Sequence, residues 1–77
     1  NELNAQSIKV SPNPFSNTLQ VTGLQDFDVQ FNMVNAVGQT VWSGKTLNMD
    51  FNFLPSGIYV LNIKNENSEV NKMLIKE

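Results

Sequence analysis

Cysteine and histidine are both missing from this 77-residue chain. Without cysteine there is no disulfide and no thiolate metal site. Cysteine and histidine are also the side chains most often used as base, nucleophile or soft metal ligand near neutral pH. An enzyme here would have to rest on carboxylates or on a serine–lysine pair. The acids, however, fall in turns or on the polar faces of alternating segments, and the pair Asp26 and Asp28 around Phe27 reads as solvated charge. The chain is therefore read as a non-enzyme with no catalytic, cofactor or metal residues. Arginine is missing too: the five basic residues are all lysine, and seven acids leave a net charge of −2. That balance gives no basic patch and no bidentate phosphate or guanine readers, so no nucleic acid is expected as a partner. No apolar run approaches the ~20 residues that span a bilayer, and the longest, Gly57-Ile58-Tyr59-Val60-Leu61, is strand length, so no transmembrane segment is expected. The opening NELNAQS has neither the charged start nor the apolar middle of a signal peptide. It reads as a tail, residues 1–7, leading from something longer into one domain over residues 8–77.

What the chain does have is alternation. Ile8 and Val10, Leu19 and Val21, and Val29, Phe31 and Met33 each alternate with polar neighbours. So do Met49, Phe51 and Phe53, and then Tyr59, Leu61 and Ile63. Successive strand side chains point to opposite faces, so each run reads as a strand with one wet side. Ile58 and Val60 add a second apolar face to their run, which predicts a central strand covered on both sides. Turn chemistry separates the runs. Asn35-Ala36-Val37-Gly38 suits a hairpin with a type I turn and a bulge, and Leu54-Pro55-Ser56-Gly57 places proline at the second turn position. Lys64 to Glu69 is a polar hairpin loop, and Val70 to Lys76 a terminal strand. Seven short strands about ten residues apart, with no helix, predict a β-sandwich. Asparagine is the commonest residue, which we read as polar surface rather than mechanism.

Two further patterns bear on ligand binding. Asn48-x-Asp50-x-Asn52 has the oxygen spacing that opens a calcium loop, but Phe53 and Tyr59 stand where such a loop needs glycine and glutamate. It reads as the wet face of a strand. Trp42 and Tyr59 could stack on a sugar, which keeps an adhesive or carbohydrate-binding sandwich as the alternative function. Tyr59, alternating with core residues, reads instead as buried with its hydroxyl at the edge.

Four blocks, in order, resemble the C-terminal sorting domain, type A, of the type IX secretion system of Bacteroidetes. They are IKVSPNPFSNTLQV, VQFNMVNAVGQTVWSG, FNFLPSGIYVLNIKN and EVNKMLIKE, which together cover Ile8 to Glu77. Two positions depart from the family pattern: Asn35 stands where aspartate usually begins the turn, and Glu77 ends the chain where a basic residue is usual. The resemblance implies a seven-stranded immunoglobulin-like sandwich that serves as an export tag on an upstream cargo protein. It implies passage through the periplasm and recognition by shuttle proteins and the outer-membrane translocon. Removal of the tag by a sortase-like C-terminal signal peptidase, and a cargo secreted or held at the cell surface, are also implied.

The Pro12-Asn13-Pro14 corner acquires a purpose in a sandwich. Proline fixes φ and gives no ladder donor, so the corner ends one strand and sets the angle of the next, with Phe15 pinning it to the core. A terminal strand at a sheet edge offers unpaired N–H and C=O groups to a partner, with Lys72 and Lys76 expected to keep that edge soluble. The candidate recognition residues are thus Pro12, Asn13, Pro14 and Phe15 at the corner. Gly38, Gly57 and Tyr59 join them from the motif turns, and Val70, Lys72, Met73, Leu74, Ile75 and Lys76 from the last strand.

Overall fold

The computed structural model describes residues 6–24, 28–47, 50–66 and 68–77. Among them are six strands and no helix: β1 (Lys9–Ser11), β2 (Gln20–Thr22), β3 (Gln30–Asn35), β4 (Thr40–Gly44), β5 (Gly57–Lys64) and β6 (Glu69–Lys76). β1 and β2 pair as a two-stranded antiparallel sheet, and the other four form an antiparallel sheet in the order β4-β3-β5-β6. The fold is all-β and sandwich-like. Its core lies between the sheets: Ile8 and Leu19 beside the small sheet meet Phe31, Met33, Leu61, Ile63 and Leu74 of the large one.

Register explains that core. Phe31 pairs with Ile63, Met33 with Leu61, and Tyr59 with Leu74, so alternate residues of three strands fall in rows on one face. Trp42 extends the Met33 row onto β4. The β3–β4 hairpin closes as its sequence suggests. Asn35 Oδ1 accepts from the N–H groups of Val37 (3.1 Å) and Gln39 (2.9 Å), and Gly38, at φ +88°, supplies the left-handed residue. The register slips between Met33 and Val34, where the expected irregularity sits.

One expected strand is a turn. Met49 lies outside the described residues, but over Asp50–Leu54 the chain bends: Leu54 N–H donates to Phe51 C=O (3.0 Å) and Asp50 Oδ1 accepts from Asn52 N–H (2.8 Å). The alternation misleads because Phe51 is buried as a plug rather than as a strand residue. Its ring meets Trp42 edge to face at 5.0 Å and Phe15 at 6.3 Å, while Phe53 is exposed. Another determinant has no sequence signature beyond a lone glycine. Gly23 holds φ +85°, and a Cβ there would run into the Ser7 carbonyl, so only glycine lets the end of β2 pass the segment leading into β1.

The corner and the terminal strand

The two ends of the chain's recognition candidates meet. β6 is an edge strand of the large sheet, and the Pro12–Phe15 corner docks on its free side. Asn13 Oδ1 accepts from Ile75 N–H at 2.9 Å, and Asn13 Nδ2 reaches Met73 C=O at 3.5 Å. Phe15 N–H then donates to Ile75 C=O (2.9 Å), and Phe15 C=O accepts from Glu77 N–H (2.8 Å), a short parallel bridge. The Phe15 side chain is fully buried, so it anchors the corner while Pro12, Asn13 and Pro14 stay exposed. The chain therefore does more than turn between strands. It leaves β1, visits the edge of the opposite sheet, and returns to pair β2 with β1. The Ser11–Pro12 and Asn13–Pro14 peptide bonds are both cis.

The faces of β6 are the reverse of the sequence expectation. Val70, Lys72, Leu74 and Lys76 share the inward face, and Lys76 is only 7% exposed, its Nζ donating to the Glu77 carbonyl (3.0 Å). The lysines do not shield the edge. Met73 (67% exposed) and Ile75 (47%) point outward instead. Strand parity decides this: Leu74 must face the core beside Tyr59, and its inward position carries Lys72 and Lys76 with it. The four-carbon lysine stem makes burial of Lys76 feasible while its ammonium finds a carbonyl.

Outward, the large sheet has two halves. Toward one end runs a polar ladder. Ser43 Oγ donates to Asn32 Oδ1 (2.9 Å), Asn32 Nδ2 to Asn62 Oδ1 (3.1 Å), and Asn62 Nδ2 to Asn71 Oδ1 and Glu69 Oε2 (both 2.9 Å). Part of the asparagine content thus ties four strands together. Toward the other end the register sets Ile58 beside Ile75, and Val34, Val60 and Met73 in one row. Ile58 is 52% exposed, so β5 is central in the sheet but its second face is not covered as expected. The result is an apolar strip alongside the corner, exposed at Ile58, Met73 and Ile75 and half-buried at Val60. Strips of this kind mark interaction sites more often than isolated exposed side chains do.

The remaining candidates are structural in their contacts. Tyr59 is buried and its hydroxyl donates to Pro55 C=O at 2.6 Å. Trp42 is half-buried, and its ring meets Phe51 edge to face. Gly57 opens β5 at φ +154°. Asp28 is exposed and pairs with Lys45 at 3.7 Å; Asp26 and Phe27 lie outside the described residues, as does Asn48.

A comparison with protein families matches residues 9–77 to one described as a secretion system C-terminal sorting domain. The chain belongs to that family. No curated protein matches it. The sorting domain is a C-terminal secretion signal of the type IX system of Bacteroidetes, and its role is export across the outer membrane to the cell surface or beyond. The match begins at the first residue of β1 and runs through all of β6, so the sorting domain takes in both the corner and the edge that it caps.

Proposed function

We propose that the type IX machinery reads this sorting domain on the composite of the Pro12–Phe15 corner and the apolar strip of Ile58, Val60, Met73 and Ile75. The carrying observation is the exposure of three large apolar side chains in one contiguous strip of a domain too small to spare them. In this reading the domain folds in the periplasm at the end of a cargo protein. Shuttle proteins and the translocon engage the strip, and the cargo crosses the outer membrane. A sortase-like peptidase then removes the domain, and the cargo is released or attached at the surface. The resemblance of the four sequence blocks supports these later steps. The fold is read as an immunoglobulin-like sandwich, supported by Tyr59, because a tyrosine tied to backbone a few residues upstream recurs in such sandwiches. In that scheme the turn over Asp50–Leu54 stands in place of the seventh strand.

The test replaces the strip without touching the core. Ile58→Thr, Met73→Thr and Ile75→Thr together keep strand-favouring side chains at exposed positions. Exposed substitutions of this kind usually move stability by less than ~0.5 kcal/mol each. A reporter fused ahead of the substituted domain should stay folded and accumulate in the periplasm of a type IX-competent host. Its normal appearance outside the cell would remove the strip as the recognised surface.

A further inference from the structure

We infer that the open edge of β6, across Glu69–Met73, takes an extended segment of the secretion machinery as an added strand. The inference rests on the sorting role proposed above, and concerns the backbone edge rather than the apolar face. In an antiparallel sheet, successive residues turn their backbone groups to opposite neighbours. Ile75 gives its N–H and C=O to the corner, so its groups face away from β5. By the same alternation those of Met73, Asn71 and Glu69 face away as well. The corner claims Ile75 and, at 3.5 Å, the Met73 carbonyl. The Met73 N–H and the Asn71 N–H and C=O have no hydrogen-bond partner among the described residues. Such an edge is a template for strand addition. The corner already shows what fits it: Asn13 offers an amide donor and acceptor side by side, and Phe15 continues as a strand.

The corner and the exposed Met73 define the incoming segment. Because the corner occupies the edge beyond Met73, the added strand pairs only along Glu69–Met73. At the other end, Glu69 stands directly opposite Lys64 of β5, and its carboxylate accepts from Asn62. Glu69 and Met73 lie on the same outward face of β6. The segment that complements this edge carries an apolar side chain beside Met73 and a polar one beside Glu69, on one face of an extended backbone. Its apolar side chain then continues the strip of Met73 and Ile75 outward.

The experiment fuses a reporter ahead of the 77-residue chain in a type IX-competent host. Asn71→Pro deletes one outward N–H and the side-chain bond to Asn62 but leaves the backbone bonds to β5 intact, at a position where edge strands accept proline. Asn71→Ala removes only the side chain bonded to Asn62. The expected result is export of Asn71→Ala and periplasmic retention of Asn71→Pro, with an unchanged sheet signature in circular dichroism. Export of a folded Asn71→Pro overturns the added strand and leaves the sorting role standing. Equal retention of Asn71→Ala also overturns it, because the side chain then accounts for the loss. Retention of the unsubstituted fusion instead overturns the sorting role, and the inference falls with it. Hydrogen exchange on the unsubstituted chain decides the matter if Asn71→Pro fails to fold. Unprotected amides at Asn71 and Met73 beside protected ones at Val70, Lys72 and Leu74 support the open edge, and protection at Asn71 and Met73 overturns it.

Discussion

Lys76 is where residue type and position pull apart most clearly. A lysine near a chain end reads as surface charge, yet this one is buried, with its ammonium on the Glu77 carbonyl. Its stem packs where an apolar side chain would otherwise go, so Lys76→Met should change stability by less than about 1.5 kcal/mol, as volume-conserving replacements do. Lys76→Glu shortens the stem and places a carboxylate beside a carbonyl acceptor, with no partner. That change should cost more than about 2 kcal/mol, in the range for an unpaired buried charge. Urea unfolding of the two variants checks this, and equal midpoints would show that Lys76 reaches solvent after all. A charge reversal at this position is therefore a folding change and is unsuited as a probe of recognition.

At the scale of elements, the corner and β6 act as one unit. Asn13 directs the corner onto the edge through two side-chain hydrogen bonds, and Phe15 holds it there through burial. The two contributions differ in size. Asn13→Ala exposes the Ile75 N–H to water, and the loss should be about 1 kcal/mol. Phe15→Ala opens a cavity beside Phe51 and should cost about 3–5 kcal/mol. A domain of this size has a margin near ~5 kcal/mol, so Phe15→Ala should be largely unfolded at room temperature while Asn13→Ala stays folded. Denaturant titration distinguishes them. Similar losses for both would show that the corner is held by its backbone bridge alone. Deleting Met73 to Glu77 would strip the corner of its whole docking strip as well as Leu74 from the core. A secretion defect after that deletion therefore reports folding before it reports recognition.

For the whole molecule, stability comes from one apolar core with no disulfide. The buried side chains of the large sheet meet Ile8 and Leu19, which flank the small sheet, and its half-buried Val10 and Val21, and the sequence holds no cysteine. The thermal midpoint should accordingly be indifferent to reductant, because there is no disulfide to break, and to EDTA, because no cluster of metal-ligating side chains forms among the described residues. A rise or fall of several degrees with EDTA would point to an ion, with Asp50 and Asn52 the first residues to examine. Seen whole, the sorting domain also has a polarity that suits its task. One half of the large sheet's outer face is closed by the Ser43–Asn32–Asn62–Asn71 ladder, and the other half presents apolar side chains beside the corner.

The sequence by itself determined the sheet class, four of the five alternating runs as paired strands, the Asn35 turn and the terminal strand. These depend on local rules: a period of two, a side chain that bonds its own backbone, and a proline that cannot donate. It also showed Phe15 as an anchor and Tyr59 as buried with its hydroxyl at the edge; that the hydroxyl is held by the Pro55 carbonyl came from the structure. Tertiary structure alone decided the rest. Whether the Met49–Phe53 alternation became a strand depended on where Phe51 could be buried, which is a matter of Trp42 and Phe15, distant in sequence. Which face of β6 met the core depended on registry with β5, and a shift of one residue would have exchanged Lys76 for Ile75. The union of the corner with the last strand joins Asn13 to Ile75 across the chain. No local pattern encodes such a contact, because its energy exists only once both sheets have formed and the edge of β6 is there to be capped.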